Sequence, residues 1–238
     1  MGNSIKLGVK TFDSKDFLRE LESRADFFEI MAIQGKDCSF LRDFSKPIVI
    51  HAEHHRFGVN YADNAKCEKN LQSLEFALGL AREYNSGKVI VHAGRLENES
   101  CSVAQAVSLI RSINDERILI ENLPQNYVCS TPEQIQNFMS LAGCGFCFDI
   151  NHAMQTALSN NLEPYEFIER FIKLNPKHYH LGGQKMNSLC IGHMSFRDSE
   201  IDMKKVMEII PDGAEITLEV TNDAENTKYD IDFVRKFI

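Results

Sequence analysis

Short runs of β-branched and aromatic residues alternate with longer stretches of helical periodicity along the whole chain. The runs predict strands at Ile5–Thr11, Phe27–Ala32, Pro47–His51, Lys88–His92, Arg117–Glu121, Gly145–Asp149, Lys177–Leu181 and Glu215–Val220. A segment with helical periodicity is expected after each. Cys67–Glu83 places Leu71, Leu74, Phe76, Leu78 and Leu80 on its periodic positions, and Val103–Ile113 and Pro164–Leu174 read the same way. Thr131–Leu141 also carries a start signal: Ser130 or Thr131 as N-cap, Pro132 at the first helical position and Glu133 in the first turn. Asp202–Ile210 and Ile231–Phe237 supply the last two helices.

Strands alternating with helices imply βαβ units and a parallel sheet. Eight such units predict an α/β fold, a single closed (β/α)8 barrel over residues 1–238. A complete barrel needs roughly 200–250 residues, so this length accommodates one and leaves little over. A doubly wound sheet would favour a glycine-rich turn after the first strand, and Thr11-Phe12-Asp13-Ser14 is not one.

Composition narrows the function classes. Charged residues at 25% and hydrophobic ones at 43% are ordinary for a folded soluble chain. No apolar run approaches the roughly 18 residues that span a bilayer, and no secretory signal is visible, so no membrane partner is expected. A net charge of −8 argues against broad binding to nucleic acid or anionic lipid. Seven cysteines in a chain too large to need staples suggest reduced thiols and a cytoplasmic location.

Six predicted strands end in a residue able to bind a metal. These are His51, His92, Glu121, Asp149, His180 and Glu219, spaced by 41, 29, 28, 31 and 39 residues, one βα unit each. Barrel active sites sit at the C-terminal ends of the strands, so all six converge on one mouth. One polar strand end means little, but six in register change the odds. Three imidazoles and three carboxylates buried together would repel and shift without a cation. Nitrogen and carboxylate donors without thiolate predict a divalent metal, with zinc first and manganese, cobalt or iron as alternatives.

His152 follows strand six by one turn and His193 lies in the loop after strand seven, so both are candidates for a third metal or for substrate. Lys185 could meet an anionic substrate group, and His54 and His55 are further candidate substrate contacts. His178 shares the inward face of His180 and reads as a satisfied interior residue. Cys144 and Cys147 have CxxC spacing but no second pair, which leaves redox and zinc roles without support.

Between Pro47 and Thr221 the chain resembles the xylose-isomerase-like TIM-barrel superfamily, which includes endonuclease IV (AP endonuclease family 2) and sugar-phosphate isomerases and epimerases. The resemblance rests on Ile50-His51-Ala52, Val91-His92-Ala93-Gly94, Ile120-Glu121-Asn122, Phe148-Asp149-Ile150-Asn151-His152, His180-Leu181 and Leu218-Glu219-Val220. It implies that Glu121, Asp149, His180 and Glu219 form the shared metal tetrad. In epimerase-like members the two glutamates, here Glu121 and Glu219, also act as the catalytic acid and base. His51 and His92 match ligands of the additional zinc of endonuclease IV, and His152 matches a third-metal or substrate position, so one to three ions are implied.

Two departures separate the chain from the endonuclease pattern. Ile191 stands where an aspartate ligand of the third zinc is expected, and Phe196–Asp202 lacks glycines that the resemblance implies in the endonuclease and epimerase branches alike. The leading expectation is isomerisation or epimerisation of a small sugar or sugar phosphate by metal-assisted proton transfer. The alternative is zinc-dependent phosphodiester hydrolysis of the abasic-site repair kind, and DNA is a partner only there. Nothing in the sequence fixes an oligomeric state.

Overall fold

The computed structural model describes residues 4–125, 127–187, 192–220 and 223–238. Eight strands run in chain order around a closed barrel: β1 (Lys6–Thr11), β2 (Phe27–Ala32), β3 (Ile48–Ala52), β4 (Val89–His92), β5 (Ile118–Glu121), β6 (Gly145–Asp149), β7 (His178–Leu181) and β8 (Glu215–Leu218). Every neighbouring pair is parallel, including β8 with β1. The helices are α1 (Lys15–Leu21), α2 (Cys67–Glu83), α3 (Val103–Ile113), α4 (Pro132–Ala142), α5 (Ile150–Ser159), α6 (Pro164–Ile172), α7 (Met203–Ile209) and α8 (Ala224–Val234). Among the described residues no helix is long and apolar enough to cross a membrane.

The two-residue period of a strand sorts the side chains into two cores. One parity points outward: Leu7, Val9, Phe28, Ile30, Ile50, Val89, Val91, Ile118, Ile120, Phe146, Phe148, Leu181, Ile216 and Leu218 pack into the large cluster beneath the helices. The other parity points into the barrel. Its lower layer is a small apolar plug of Phe27, Val49, Ile90, Leu119 and Cys147. Two residues further along the same strands come Glu29, His51, His92, Glu121 and Asp149, so the plug floors a charged upper layer.

Gly8 makes room for that floor. It pairs with Phe27 in register, and a Cβ there would lie 2.2 Å from the Phe27 ring.

The regular βα alternation breaks in two places. After β2 the chain returns through a single 3-10 turn, Ser39–Asp43, instead of a periodic helix. Between β6 and β7 there are two helices, because Asp149 caps α5 at the strand's last residue. The final helix starts at Ala224 instead of Ile231, its N-terminus fixed by the Asp223 side chain accepting from the Asn226 backbone N–H. Its last predicted turn, Arg235–Phe237, is 3-10. Strand eight stops at Leu218, which leaves Glu219 as the first residue beyond it, still donating its N–H to the Leu181 carbonyl. The capping box of α4 selects Thr131 over Ser130 as N-cap, with Gln134 closing it.

Overpacking a closed interior costs about 1–3 kcal/mol. Gly8→Ala is therefore expected to lower stability by that amount in urea unfolding, and adding Phe27→Leu to recover part of it. A Gly8→Ala protein as stable as the parent would show that the plug is loosely packed.

Candidate metal centre

The donors are set by short, locally determined features. Asn122 follows Glu121 directly; its amide donates to the Asp149 carbonyl at 2.8 Å and its oxygen accepts from the Asp149 N–H at 2.7 Å. Asn151 repeats the device one strand on, pairing with the carbonyl and N–H of Gly182 at 3.0 and 2.7 Å. These two amides pin the ends of β6 and β7 against their neighbours. Gly182 allows the His193 loop to close: a Cβ there would stand 2.6 Å from the Glu219 carbonyl and 3.0 Å from the His193 Cα. Asp230 of α8 anchors the same loop by accepting from Ser195 Oγ and the Phe196 N–H, both at 2.8 Å.

Three groups of donors, each with its ligand atoms within 4.8 Å of one another, meet at the upper mouth: His51, His92 and Glu121; Glu121, Asp149, His180 and Glu219; and Asp149, His152 and His193. Glu121 belongs to the first and second groups, Asp149 to the second and third. On Glu121, one oxygen lies 3.2 Å from His51 Nε2 and 3.0 Å from His92 Nε2. Its other oxygen lies 3.2 Å from His152 Nδ1. His193 Nε2 stands 3.8 Å from Asp149 Oδ2 and 3.2 Å from His152 Nε2.

The residues present fit a cation. Buried polar atoms are normally satisfied. Here Glu121 Oε1, Asp149 Oδ2, His180 Nδ1 and Glu219 Oε2, one atom from each member of the tetrad, are buried without an aligned hydrogen-bond partner. His180 Nδ1 approaches Glu219 Oε2 to 3.0 Å without that alignment.

His51 makes the same point. Its Nδ1 lies 2.8 Å from the Ala52 carbonyl, to which it must donate, so the neutral ring turns a bare lone pair from Nε2 toward a carboxylate oxygen. Burial keeps that ring neutral by lowering its pKa.

The carboxylates also compete. Burial, with repulsion from Glu121 and Glu219, pushes Asp149 up despite His152 and His193 nearby. Burial opposes ionisation of Glu121 and Glu219 too, but the surrounding imidazoles, and Lys10 in the case of Glu219, hold both well below the usual carboxylate range. Burial would depress His152, yet Asp149 and Glu121 raise it to about 9.

A cavity of about 290 Å3 opens above the tetrad, lined among others by Lys10, Phe12, His54, Arg56, His152 and Glu219. His55, His92 and His193 also reach it. Lys185 lies outside it, paired with Glu200 at 3.3 Å on the surface. His178 is fully buried and bonded to Thr217. The six described cysteines are unpaired, and burial pushes the Cys144 and Cys147 thiols up to about 11 and about 12. Ile191, where the missing aspartate ligand was noted, lies outside the described residues.

Two charged residues escape the strand-end pattern. Lys10 Nζ sits 3.0 Å from Glu219 Oε1 and 3.4 Å from Glu29 Oε1, with both Lys10 and Glu29 buried. Burial opposes the Lys10 charge, but Glu219 and Glu29 outweigh it and raise the ammonium's pKa. The available signal was positional: both interrupt apolar strand residues two or more positions past the strand's start, and both share parity with the inward layer.

An eight-stranded parallel barrel carrying histidine and carboxylate donors on its strand ends defines a fold class that binds ligands at that face. The chain belongs to the xylose isomerase-like TIM barrel family, whose model matches residues 38–237. It is similar to a D-tagatose 3-epimerase-like protein (TM-score 0.72, 19% identity, covering 98% of this chain and 96% of that one). It is equally similar to endonuclease IV from Thermus thermophilus (0.72, 17%, 98% of each). The TTHB071 protein of the same organism, soaked with ZnCl2, superposes at 0.70 with 17% identity over 98% and 97%. No curated protein sequence matches the chain significantly.

Ligand binding to the folded state stabilises by about 2.7 kcal/mol at a hundredfold excess over Kd, or roughly 5–10 °C for a chain of this size. Zinc, manganese or cobalt is expected to raise the melting temperature of chelator-treated protein by that much. Asp149→Asn with Glu219→Gln should abolish the shift. No shift with any of the three ions would count against the centre.

Proposed function

We propose that the chain is a divalent-metal-dependent enzyme with a multinuclear centre that hydrolyses a small phosphodiester. The observation that carries this reading is the shared carboxylate of Glu121, which joins the His51–His92 pair to the tetrad. A bridging carboxylate between two donor groups suits paired cations, and a single-ion isomerase has no use for His51 and His92 as ligands. The order of the two readings favoured by the sequence is therefore reversed.

When bound, such cations supply Lewis acidity to phosphoryl oxygens and acidify water. The protein's own residues do the rest. Lys10 and Arg56 face the same cavity and hold the negative charge of a phosphate. Phe12 and His54 wall that cavity against bulk water. Glu219, the most exposed carboxylate of the tetrad at 26%, accepts a hydrogen bond from the attacking water and orients it. His152 and His193 complete a third donor group with Asp149 when three ions are bound, and hydrogen-bond the substrate when two are.

The net charge of −8 and a cavity of about 290 Å3 favour a small ester over duplex DNA. Unpaired cysteines support a reducing, cytoplasmic setting.

A second reading, isomerisation or epimerisation of a small sugar or sugar phosphate, draws support from the same cavity size. It needs both Glu121 and Glu219 as acid and base. Glu121 is only 1% exposed and enclosed by His51, His92 and His152, which weakens it.

Elemental mass spectrometry of protein purified without chelator is expected to find two or three ions per chain, zinc foremost. His92→Ala should then cut hydrolysis of bis(p-nitrophenyl) phosphate by on the order of 100-fold, and abasic-site duplexes should be poor substrates for the parent enzyme. One ion per chain, with keto-sugar turnover that survives His92→Ala, would transfer the assignment to the isomerase reading.

A further inference from the structure

Beneath the metal centre a line of polar groups runs down the barrel interior, part-exposed at Lys88 and Glu215 and buried from His178 upward. Lys88 Nζ lies 2.7 Å from Glu215 Oε2 and 3.3 Å from His178 Nδ1. His178 Nε2 lies 2.8 Å from Thr217 Oγ1, and Thr217 Oγ1 lies 2.7 Å from Glu29 Oε2. The same Glu29 oxygen lies 3.0 Å from His180 Nε2. His178, Thr217, Glu29 and His180 are all fully buried.

The donor direction in this line is fixed from its lower end. An ammonium only donates, so His178 Nδ1 accepts and its ring proton is on Nε2. That proton is donated to Thr217, whose hydroxyl is left to donate to Glu29. Glu29 Oε1 pairs with the buried Lys10 ammonium at 3.4 Å, an ion pair that leaves Glu29 a carboxylate. An ionised carboxylate only accepts, so His180 must donate to it from Nε2.

The remaining nitrogen, His180 Nδ1, is the buried atom without a partner that faces Glu121, Asp149 and Glu219. Glu29, His178 and His180 come within ligand spacing of one another. However, Glu29 Oε2 is already taken by Thr217 and His180 and its Oε1 faces the Lys10 ammonium at 3.4 Å, which makes the three a relay and not another cation site.

We infer that Glu29 is a positioning residue for the metal centre: through the Lys88–His178–Thr217–Glu29 chain it fixes His180 with its proton on Nε2 and its Nδ1 lone pair aimed at the cation. The inference rests on the metal-centre reading above. A carboxylate behind a ligating imidazole orients the ring and raises its basicity, and losing one weakens metal binding about 10–100-fold.

The test is zinc affinity by chelator competition. Glu29→Gln keeps the volume and removes the charge, and should raise the zinc dissociation constant about 10–100-fold. In the cobalt-loaded protein it should also shift the visible ligand-field bands. Thr217→Val, which cuts the chain one link earlier, should weaken zinc binding in the same direction. Should Glu29→Gln fail to fold, the ring-nitrogen NMR spectrum of the zinc-loaded wild type decides alone, with the His180 proton expected on Nε2. A proton on Nδ1, or a Glu29→Gln affinity within twofold of a zinc-binding wild type, overturns the inference. A wild type that binds no zinc, manganese or cobalt instead defeats the metal-centre reading itself.

Discussion

Closing eight parallel strands forces every second side chain of each strand into a lumen without bulk water. The chain uses that constraint in two ways within about two residues of strand length. Phe27, Val49, Ile90, Leu119 and Cys147 close the lower lumen, and the next inward positions carry charge. Those charged groups cannot move outward, because the outward parity of the same strands is packed beneath the helices. They are held at the mouth in close mutual contact. The orphaned oxygens of Glu121, Asp149 and Glu219 and the free nitrogen of His180 follow from that confinement.

Much of this was legible in the sequence. The strand ends could be read because a change from β-branched residues to His, Asp or Glu recurs once per βα unit. That regularity pointed both to the barrel and to six of the donors that gather at its mouth, with His152 and His193 read instead from their places just beyond strands six and seven. Lys10 and Glu29 were not legible in the same way. A charge inside a strand is indistinguishable from a solvent-edge residue until another strand supplies the opposite charge, here 19 and 209 residues away in the Lys10 pairs. Helix α5 was hidden because it begins on the last residue of β6. Helix α8 was hidden because its first turns, Ala224-Glu225-Asn226-Thr227, carry no apolar period.

The family relationship and the residue-level reading meet at different depths. Structures of an epimerase-like protein and of endonuclease IV superpose equally well, which expresses the shared barrel. What distinguishes functions on this scaffold is how many donors surround the tetrad and how much open volume stands above it. In this chain the donors are many and the volume is small. The proposed phosphodiester hydrolysis rests on the first, and its restriction to a compact substrate on the second. Lys10, inserted between Glu219 and Glu29, adds fixed positive charge where an anion would enter.

Asp149 holds three positions at once: the last residue of β6, the N-cap of α5 through the backbone N–H of His152, and a member of two donor groups. Its carboxylate therefore carries the start of a helix on one oxygen and offers the other to the centre. Loading the site would pull on the same group that anchors α5, and with it His152 on the first turn. The helix and the centre are thus one mechanical unit. Evolutionary change at this residue would be close to all-or-none, whereas a residue that only lines the mouth, such as Val220, is free to drift and to retune what the barrel accepts.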